Sequence, residues 1–269
     1  GVVEMQINLS GRTVVITGGS SGIGLACAKL FLEAGANTAI CGRDKNKLAN
    51  AAEELGNSFP GNRVFSECCD VLDRDQVESF AAAVQDRFTS TDILINNAGE
   101  ARQSTFSNTS DDDWRDELEL KFFSIINTSQ TFLPQLEKSD AASIVCTSSL
   151  LSLQPEPHMV ATSSARAGQL SLIHGMAREF SEKGIRVNTV LIGQVESSQW
   201  RKRFEALGEK DLSWEAYTAG IAKKVGIPLG RMGKPEEAAS AIFFLATPMS
   251  SFTTGSTVDV SGGLSRHVG

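Results

Sequence analysis

Residues 17–24 read Thr17-Gly18-Gly19-Ser20-Ser21-Gly22-Ile23-Gly24, and they join a short β-branched run to an amphipathic stretch. This order predicts a strand, a glycine turn and a helix. Glycines permit a tight turn and a close approach of the backbone, while the free N–H groups and the dipole at a helix start attract a pyrophosphate. We therefore predict that this turn binds the pyrophosphate of a dinucleotide.

The rest of the chain continues the alternation of short apolar runs and longer amphipathic stretches. Strands are predicted at 13–16, 38–41, 63–67, 93–96, 142–147, 186–191 and 257–260. Helices are predicted at 23–34, 45–55, 76–88, 112–133, 161–182 and 235–246. Parallel strands joined by helices have both faces of their sheet covered. The sequence thus predicts an α/β fold of the Rossmann type, in which a doubly wound, parallel seven-stranded sheet carries helices on both faces.

Length and patterning favour a single domain over residues 1–269. The 269 residues are 41% hydrophobic, and α/β domains of about 250 residues are common. One long stretch, at about 196–230, falls outside the alternation and follows the sixth predicted strand. Ligands of such folds bind at the carboxyl ends of the strands, so we interpret this stretch as a lid over a substrate pocket. The alternative is a surface segment that only covers apolar area.

Charge and cysteine content exclude several classes of partner. The formal net charge is -7 and no basic block occurs, which argues against nucleic acid and anionic membranes as partners. No apolar run reaches the ~20 residues of a membrane span. The five cysteines lack metal-ligand spacing and fall in apolar stretches, so we predict free thiols and no metal site. We expect a cytoplasmic protein that acts on a small-molecule substrate.

Further motifs follow the later strands. Asn96-Asn97-Ala98-Gly99 comes after the fourth, Arg186-Val187-Asn188 opens the sixth, and Asp259-Val260-Ser261-Gly262-Gly263 lies near the end. With the glycine turn, these motifs resemble the short-chain dehydrogenase/reductase family over nearly the whole chain. The resemblance implies a homotetramer or homodimer. It also implies a nicotinamide cofactor held by Gly18, Ser20, Ser21, Gly22, Ile23, Gly24, Asp70, Val71, Asn97, Ala98, Gly99, Gly193 and Val195.

The end of the second predicted strand indicates which nicotinamide cofactor is bound. An enzyme that prefers NAD places an acid there to accept hydrogen bonds from the ribose 2′-hydroxyl. This chain has Gly42 at that position, followed by Arg43. The site lacks the charge that repels a 2′-phosphate, and the Arg43 guanidinium can bind one in a bidentate manner. We predict NADP(H) in preference to NAD(H).

The catalytic positions depart from the family pattern. In the family, a tyrosine phenol transfers the proton, a lysine one helical turn later assists it and holds the ribose, a serine orients the carbonyl, and an asparagine on the preceding helix fixes a water. Ser149 matches the serine, but Thr162, Arg166 and Lys121 stand at the tyrosine, lysine and asparagine positions. These four are the candidate catalytic residues, and Arg166 is also a candidate cofactor contact. The single tyrosine, Tyr217, lies in the predicted lid.

These replacements remove the usual proton path. A threonine hydroxyl is a far weaker acid than a phenol, whose pKa is near ~10. Arg166 stays charged and can hold the ribose, an anionic substrate group or a developing oxyanion. Burial beside Arg166 would lower the pKa of Lys121, whereas an exposed Lys121 would have no such role. His158 and water are the other proton sources that we consider.

Three hypotheses about function remain open from the sequence. The chain is an oxidoreductase with a non-standard proton path, or its fold performs non-redox chemistry as an isomerase, a lyase or a dehalogenase, or it is an inactive regulator that binds the cofactor. Ser149 and Arg166 resemble two residues of the halohydrin dehalogenases, which favours the second hypothesis. Arg201 and Arg203 in the predicted lid, together with Lys121 and Arg166, indicate an anionic substrate.

Overall fold

The computed structural model describes residues 7–208 and 211–267, which form seven strands and eight α-helices. One α-helix separates successive strands as far as the sixth strand, and three α-helices separate the sixth from the seventh. The strands are β1 (Thr13–Thr17), β2 (Asn37–Gly42), β3 (Val64–Cys68), β4 (Ile93–Asn96), β5 (Ser143–Ser149), β6 (Arg186–Ile192) and β7 (Thr257–Val260). The helices are α1 (Gly22–Glu33), α2 (Lys45–Ser58), α3 (Arg74–Phe88), α4 (Asp111–Leu136), α5 (Val160–Ser181), α6 (Ser198–Leu207), α7 (Trp214–Val225) and α8 (Pro235–Ala246).

The strands form one parallel sheet in the order β3-β2-β1-β4-β5-β6-β7. The chain moves outward from β1 to β3, returns to β4 beside β1, and then moves outward on the other side. This arrangement confirms the predicted doubly wound fold. The order reverses between β1 and β4, so the turns that follow these two strands separate and leave a crevice at the carboxyl edge of the sheet.

Helices cover both faces of the sheet, and each face has its own apolar layer. Phe80 and Phe132 lie in one layer, whereas Phe31 and Leu55 lie in the other. Every residue of β1 is buried. A strand that is covered on both faces has no solvated side, which explains why β1 is a continuous apolar and β-branched run without polar alternation.

Three predicted helices, which correspond to α2, α3 and α4, are longer in the structure, and α2 ends at Ser58. The Asp73 carboxylate accepts hydrogen bonds from the N–H groups of residues 75 and 76, so α3 begins at Arg74. Helix α4 passes through Pro134 and ends at Leu136. Proline removes one backbone hydrogen bond, but the fully buried side chains of Phe132 and Leu136 keep the last turn against the core.

The segment predicted as a lid contains two helices, α6 and α7, that the hydrophobic pattern did not reveal. Each is capped by a serine, Ser197 or Ser213, and each ends at a glycine with positive φ, Gly208 or Gly226. Residues 209–210 of this segment lie outside the described residues.

No described helix is long and apolar enough to span a bilayer. All five cysteines are free thiols.

Candidate active site

A cavity of about 870 Å³ opens at the carboxyl edge of the sheet. The turns after β1 to β6 contribute to its wall, and Trp200 of α6 lies at its rim. All but one of the residues expected to bind a cofactor line this cavity: Gly18, Ser20, Ser21, Gly22, Ile23, Arg43, Asp70, Val71, Asn97, Ala98, Gly99, Arg166, Gly193 and Val195. The exception is Gly24, which lies beneath the glycine turn.

The glycine turn has the backbone geometry that its glycines were expected to supply. Gly18 and Gly22 have φ values of 64° and 54°, in the left-handed region. A Cβ atom on Gly24 would overlap the carbonyl oxygen of Gly18 and the side-chain amide of Asn97. The turn can therefore bring its N–H groups close to an anion only because these positions lack side chains.

A hydrogen-bond network joins the glycine turn to the turn after β4. The Thr17 hydroxyl accepts hydrogen bonds from the N–H groups of Asn97 and Ala98, at 3.0 and 3.1 Å. The Asn97 amide donates to the carbonyl of Gly18 at 3.2 Å, and the Thr147 hydroxyl donates to the Asn97 amide oxygen at 3.2 Å. Thr17 and Thr147 were not singled out in the sequence, but they fix the two halves of the crevice relative to each other.

Arg43, which follows β2, also lines the cavity. Its guanidinium pairs with Glu100, the residue after the Asn-Asn-Ala-Gly motif. Both side chains are exposed. The neighbouring Asp44 carboxylate caps α2 by accepting hydrogen bonds from residues 46 and 47, which lowers the pKa of Asp44. The Asp44 carboxylate is thus occupied by the N-terminus of α2. Glu100 is the acid that would compete with a bound phosphate for the Arg43 guanidinium.

Ser149 and Arg166 line the inner end of the cavity. The Ser149 hydroxyl accepts a hydrogen bond from the N–H of Leu151 at 3.2 Å. Arg166 Nη1 donates to the carbonyl of Thr147 at 3.2 Å and to Gln169 Oε1 at 2.9 Å. Arg166 Nε is buried and has no partner among the described residues. Burial lowers the pKa of Arg166 to about 10, so its guanidinium remains charged at neutral pH.

Lys121 and Thr162 are each 1% exposed and lie behind the cavity wall. Glu117, which is 4% exposed, joins them, because its Oε2 is 3.0 Å from Lys121 Nζ and 2.7 Å from Thr162 Oγ1. Burial and the charge of Arg166 lower the pKa of Lys121 to about 8, although the negative charge of Glu117 partly offsets this by raising the pKa. The structure excludes the alternative that Lys121 is an exposed helix residue.

A family model described as short chain dehydrogenase matches residues 12–208. The chain belongs to the short-chain dehydrogenase family. The 3-oxoacyl-acyl-carrier-protein reductase FabG of Thermotoga maritima, a similar protein, is 32% identical over 96% of this chain and 99% of its own length.

Solved structures of this short-chain dehydrogenase fold include closer neighbours. An apo short chain oxidoreductase from Pseudomonas aeruginosa PAO1, described as containing an atypical catalytic center, is 57% identical with a TM-score of 0.95, over 97% of this chain and 100% of that chain. An NADPH-bound structure with the same description and source is 56% identical with a TM-score of 0.92, over 97% and 99%. L-sorbose reductase from Gluconobacter frateurii, complexed with NADPH and L-sorbose, is 28% identical with a TM-score of 0.91, over 98% and 100%.

In this short-chain dehydrogenase, aromatic packing joins α6 to α7 within the segment predicted as a lid. The Phe204 ring contacts those of Trp214 and Tyr217, with centroids 5.5 and 5.2 Å away. The Arg201 guanidinium stacks on the Trp214 ring at 3.8 Å, and Arg203 lies 4.8 Å from the centre of the Trp200 ring. Tyr217 does not line the cavity, and neither does the exposed His158.

Two residues beside Lys121 and Arg166, namely Glu117 and Gln169, were not identified from the sequence. Glu117 precedes Lys121 by one helical turn, and such pairs are usually solvated on a helix surface. Gln169 follows Arg166 on α5 and is uncharged, so it was not considered as a catalytic candidate. Both residues lie on the faces through which α4 and α5 pack together. The hydrophobic pattern of the sequence does not show which helix faces are in contact, so it could not identify them.

Proposed function

We propose that this short-chain dehydrogenase is an NADP(H)-dependent oxidoreductase that acts on a carbonyl or hydroxyl group without a catalytic tyrosine. The observation that carries the proposal is a single cavity that extends from the glycine turn to Ser149 and the half-buried Arg166 guanidinium. The NADPH complexes of the Pseudomonas and Gluconobacter proteins support the choice of cofactor.

The described residues fit such a cofactor. The N–H groups of the glycine turn would bind the pyrophosphate, and Arg43 would bind the 2′-phosphate once it leaves Glu100. Arg166 lies on the cavity wall, so its guanidinium is available to a ribose oxygen or to the substrate. When bound, the cofactor supplies or accepts a hydride.

Ser149 and Arg166 would polarise the carbonyl oxygen of the substrate during reduction. A hydroxyl donor and a fixed cation at the edge of a buried cavity stabilise the negative charge that develops on this oxygen. Thr162 is poorly suited to supply the proton, because its hydroxyl is a weak acid that is hydrogen-bonded to Glu117 and Arg102. Lys121 has a lowered pKa and lies beside Arg166, so in this proposal it supplies the proton through one water.

The charge around the catalytic end also indicates the substrate class. Arg166 is the cation on the inner wall, and Trp200 provides an apolar face at the rim. We propose an anionic carbonyl compound, such as a keto acid, with an apolar or planar part against Trp200. The lid arginines contribute less to this choice than the sequence indicated, because Arg201 and Arg203 stack on tryptophan rings.

We also propose that the protein assembles as a homotetramer or homodimer through α4 and α5. Leu118 and Phe123 are 43% and 47% exposed on α4. Exposed apolar side chains on a surface helix are typical of subunit contacts. Sedimentation equilibrium tests this assembly, and a monomer at micromolar concentration would contradict it.

The function is tested by titrating the protein with NADPH and then following NADPH oxidation with pairs of keto acids and their neutral esters. We expect binding of NADPH, turnover of at least one keto acid, and weaker turnover of its ester. Tight binding without turnover of any carbonyl compound would favour an inactive regulator. Conversion of a substrate without a net change in NADPH would favour non-redox chemistry.

A further inference from the structure

Glu117 is a buried acid with an unusual set of contacts. It lies within α4, and one of its carboxylate oxygens, Oε2, is within hydrogen-bond distance of both Lys121 Nζ and Thr162 Oγ1. Lys121 follows on the same helix, whereas Thr162 belongs to α5. A single oxygen therefore connects two helices and two residues that occupy family catalytic positions.

Several charges face this carboxylate and its ammonium partner. Arg166 approaches Lys121 from α5, and Glu100 acts on Lys121 from the turn after β4. Arg102 Nε is 4.0 Å from Glu117 Oε1 on the other side. A buried ion pair is costly to desolvate and is retained when geometry and further hydrogen bonds compensate. Glu117 provides a negative charge beside the buried Lys121 ammonium and near the half-buried Arg166.

Thr162 adds a constraint to the same carboxylate. Its hydroxyl oxygen accepts a hydrogen bond from the N–H of Arg102 at 3.0 Å and can donate its only proton to Glu117. Arg102 in turn pairs with Asp113 at the start of α4. The carboxylate is therefore held from three sides, by α4, by α5 and by the segment that contains Arg102.

We propose that Glu117 is a positioning residue for the reaction, because it holds the Lys121 ammonium and the Thr162 hydroxyl on one carboxylate oxygen and keeps Lys121 charged beside Arg166. This inference rests on the proposed function for its meaning in catalysis. The placement of Lys121 and its protonation can be measured independently of turnover. Glu117 does not line the cavity, so it acts through Lys121 and not on the substrate.

The test compares Glu117→Gln with Glu119→Gln. Glutamine keeps the shape of Glu117 but removes its charge, and Glu119 is an exposed acid two residues further along α4. We measure the free energy of unfolding of both variants and of the wild type from about pH 6 to about pH 10, a range that includes the pKa of a perturbed lysine. If turnover is found, we also measure the pH dependence of kcat for carbonyl reduction.

The expected stability result follows from proton linkage. Lys121 has a folded-state pKa of about 8, below the usual lysine value of about 10.4, so its burial destabilises the fold below pH 8 and this cost disappears as the pH rises. Glu117→Gln lowers the Lys121 pKa further, by about one to three units. The stability difference from the wild type should widen as the pH falls from about 8 to about 6. Glu119→Gln should show no such trend.

The expected kinetic result is a shift of the alkaline limb of kcat to lower pH by about one unit or more in Glu117→Gln. Adding Lys121→Met to Glu117→Gln should abolish the widening stability difference between about pH 6 and about pH 8, because the titrating group is gone. A pH-independent loss of stability in Glu117→Gln would overturn the positioning role alone. Absence of turnover in the wild type would contradict the proposed function alone, and the stability series would still decide the role of Glu117.

Discussion

Gln169 Nε2 on α5 donates a hydrogen bond to the main-chain carbonyl of Lys121 on α4, at 2.8 Å. The other end of the same side chain, Oε1, accepts a hydrogen bond from Arg166 Nη1 at 2.9 Å. One amide group therefore fixes the position of Arg166 relative to the backbone of Lys121. Because Lys121 is buried and the charge of Arg166 lowers its pKa, the separation of the two groups controls the size of that effect.

The lowered pKa of Lys121 predicts a specific pH dependence. Carbonyl reduction consumes a proton, so kcat should fall as the pH rises through about 8 and Lys121 loses its charge. Lys121→Met should remove this limb and lower kcat by about 10²–10⁴-fold, the usual contribution of a general acid. Lys138→Met, an exposed lysine just beyond α4, serves as the control. If kcat of Lys121→Met still falls as the pH rises through about 8, another group supplies the proton.

Thr162 should contribute to stability through its hydroxyl. Thr162→Val leaves the N–H of Arg102 and an oxygen of Glu117 short of a partner, and we expect a loss of about 1–3 kcal/mol in the free energy of unfolding. Thr162→Ser should retain most of this stability. Thr131→Val is the matched control, because the Thr131 hydroxyl is buried and has no partner within residues 7–208 and 211–267. Equal unfolding midpoints for the two valine variants would refute the role of the Thr162 hydroxyl.

The glycine turn should tolerate no side chain at residue 24. Gly24→Ala forces the Gly18 carbonyl and the Asn97 amide to move, so NADPH affinity should fall at least about tenfold, or ~1.4 kcal/mol. Gly56→Ala, at an open position in α2, should leave NADPH affinity unchanged and raise stability by up to about 1 kcal/mol. Fluorescence titration measures the affinities. Unchanged NADPH affinity in Gly24→Ala would show that the turn does not bind the cofactor.

Arg43 should discriminate between the two nicotinamide cofactors. Arg43→Ala removes a charge-assisted contact to the 2′-phosphate and should weaken NADPH binding by about 10- to 100-fold, or ~1.4–2.7 kcal/mol, with little effect on NADH. Glu100→Gln should strengthen NADPH binding, because it frees the guanidinium. Lys45→Ala, an exposed lysine outside the cavity, is the control. A similar loss of affinity for both cofactors would mean that Arg43 contacts a part that they share.

The sequence was informative about the sheet because its signals are local. The glycine turn, the β-branched runs and the Asn-Asn-Ala-Gly motif each lie within a few residues, and the structure confirms the order that they predict. The helices α6 and α7 were missed because their apolar residues pack mainly on one another, as Phe204, Trp214 and Tyr217 do. Their serine and glycine caps were the available signal.

The catalytic end could be predicted only in part, because its chemistry depends on contacts between distant segments. Lys121, Thr162 and Arg166 were found by their spacing from known motifs. The burial of Lys121, and the link from Glu117 to Thr162, follow from how α4 packs on α5. An acid and a lysine one turn apart have the same pattern on a solvated helix and in a core. The three-dimensional packing decides between these cases.

The most direct test of the central claim is the transfer of deuterium from NADPH labelled at nicotinamide C4 to a carbonyl substrate, with both stereoisomers of the label and detection of products by mass spectrometry. We predict deuterium on the carbinol carbon of at least one keto acid product, and a loss of about 10²–10³-fold in the rate for Arg166→Ala. Arg178→Ala, an exposed arginine on the same helix, should transfer deuterium at the rate of the wild type. NADPH binding without deuterium in any product would contradict the claim that this site carries out hydride transfer.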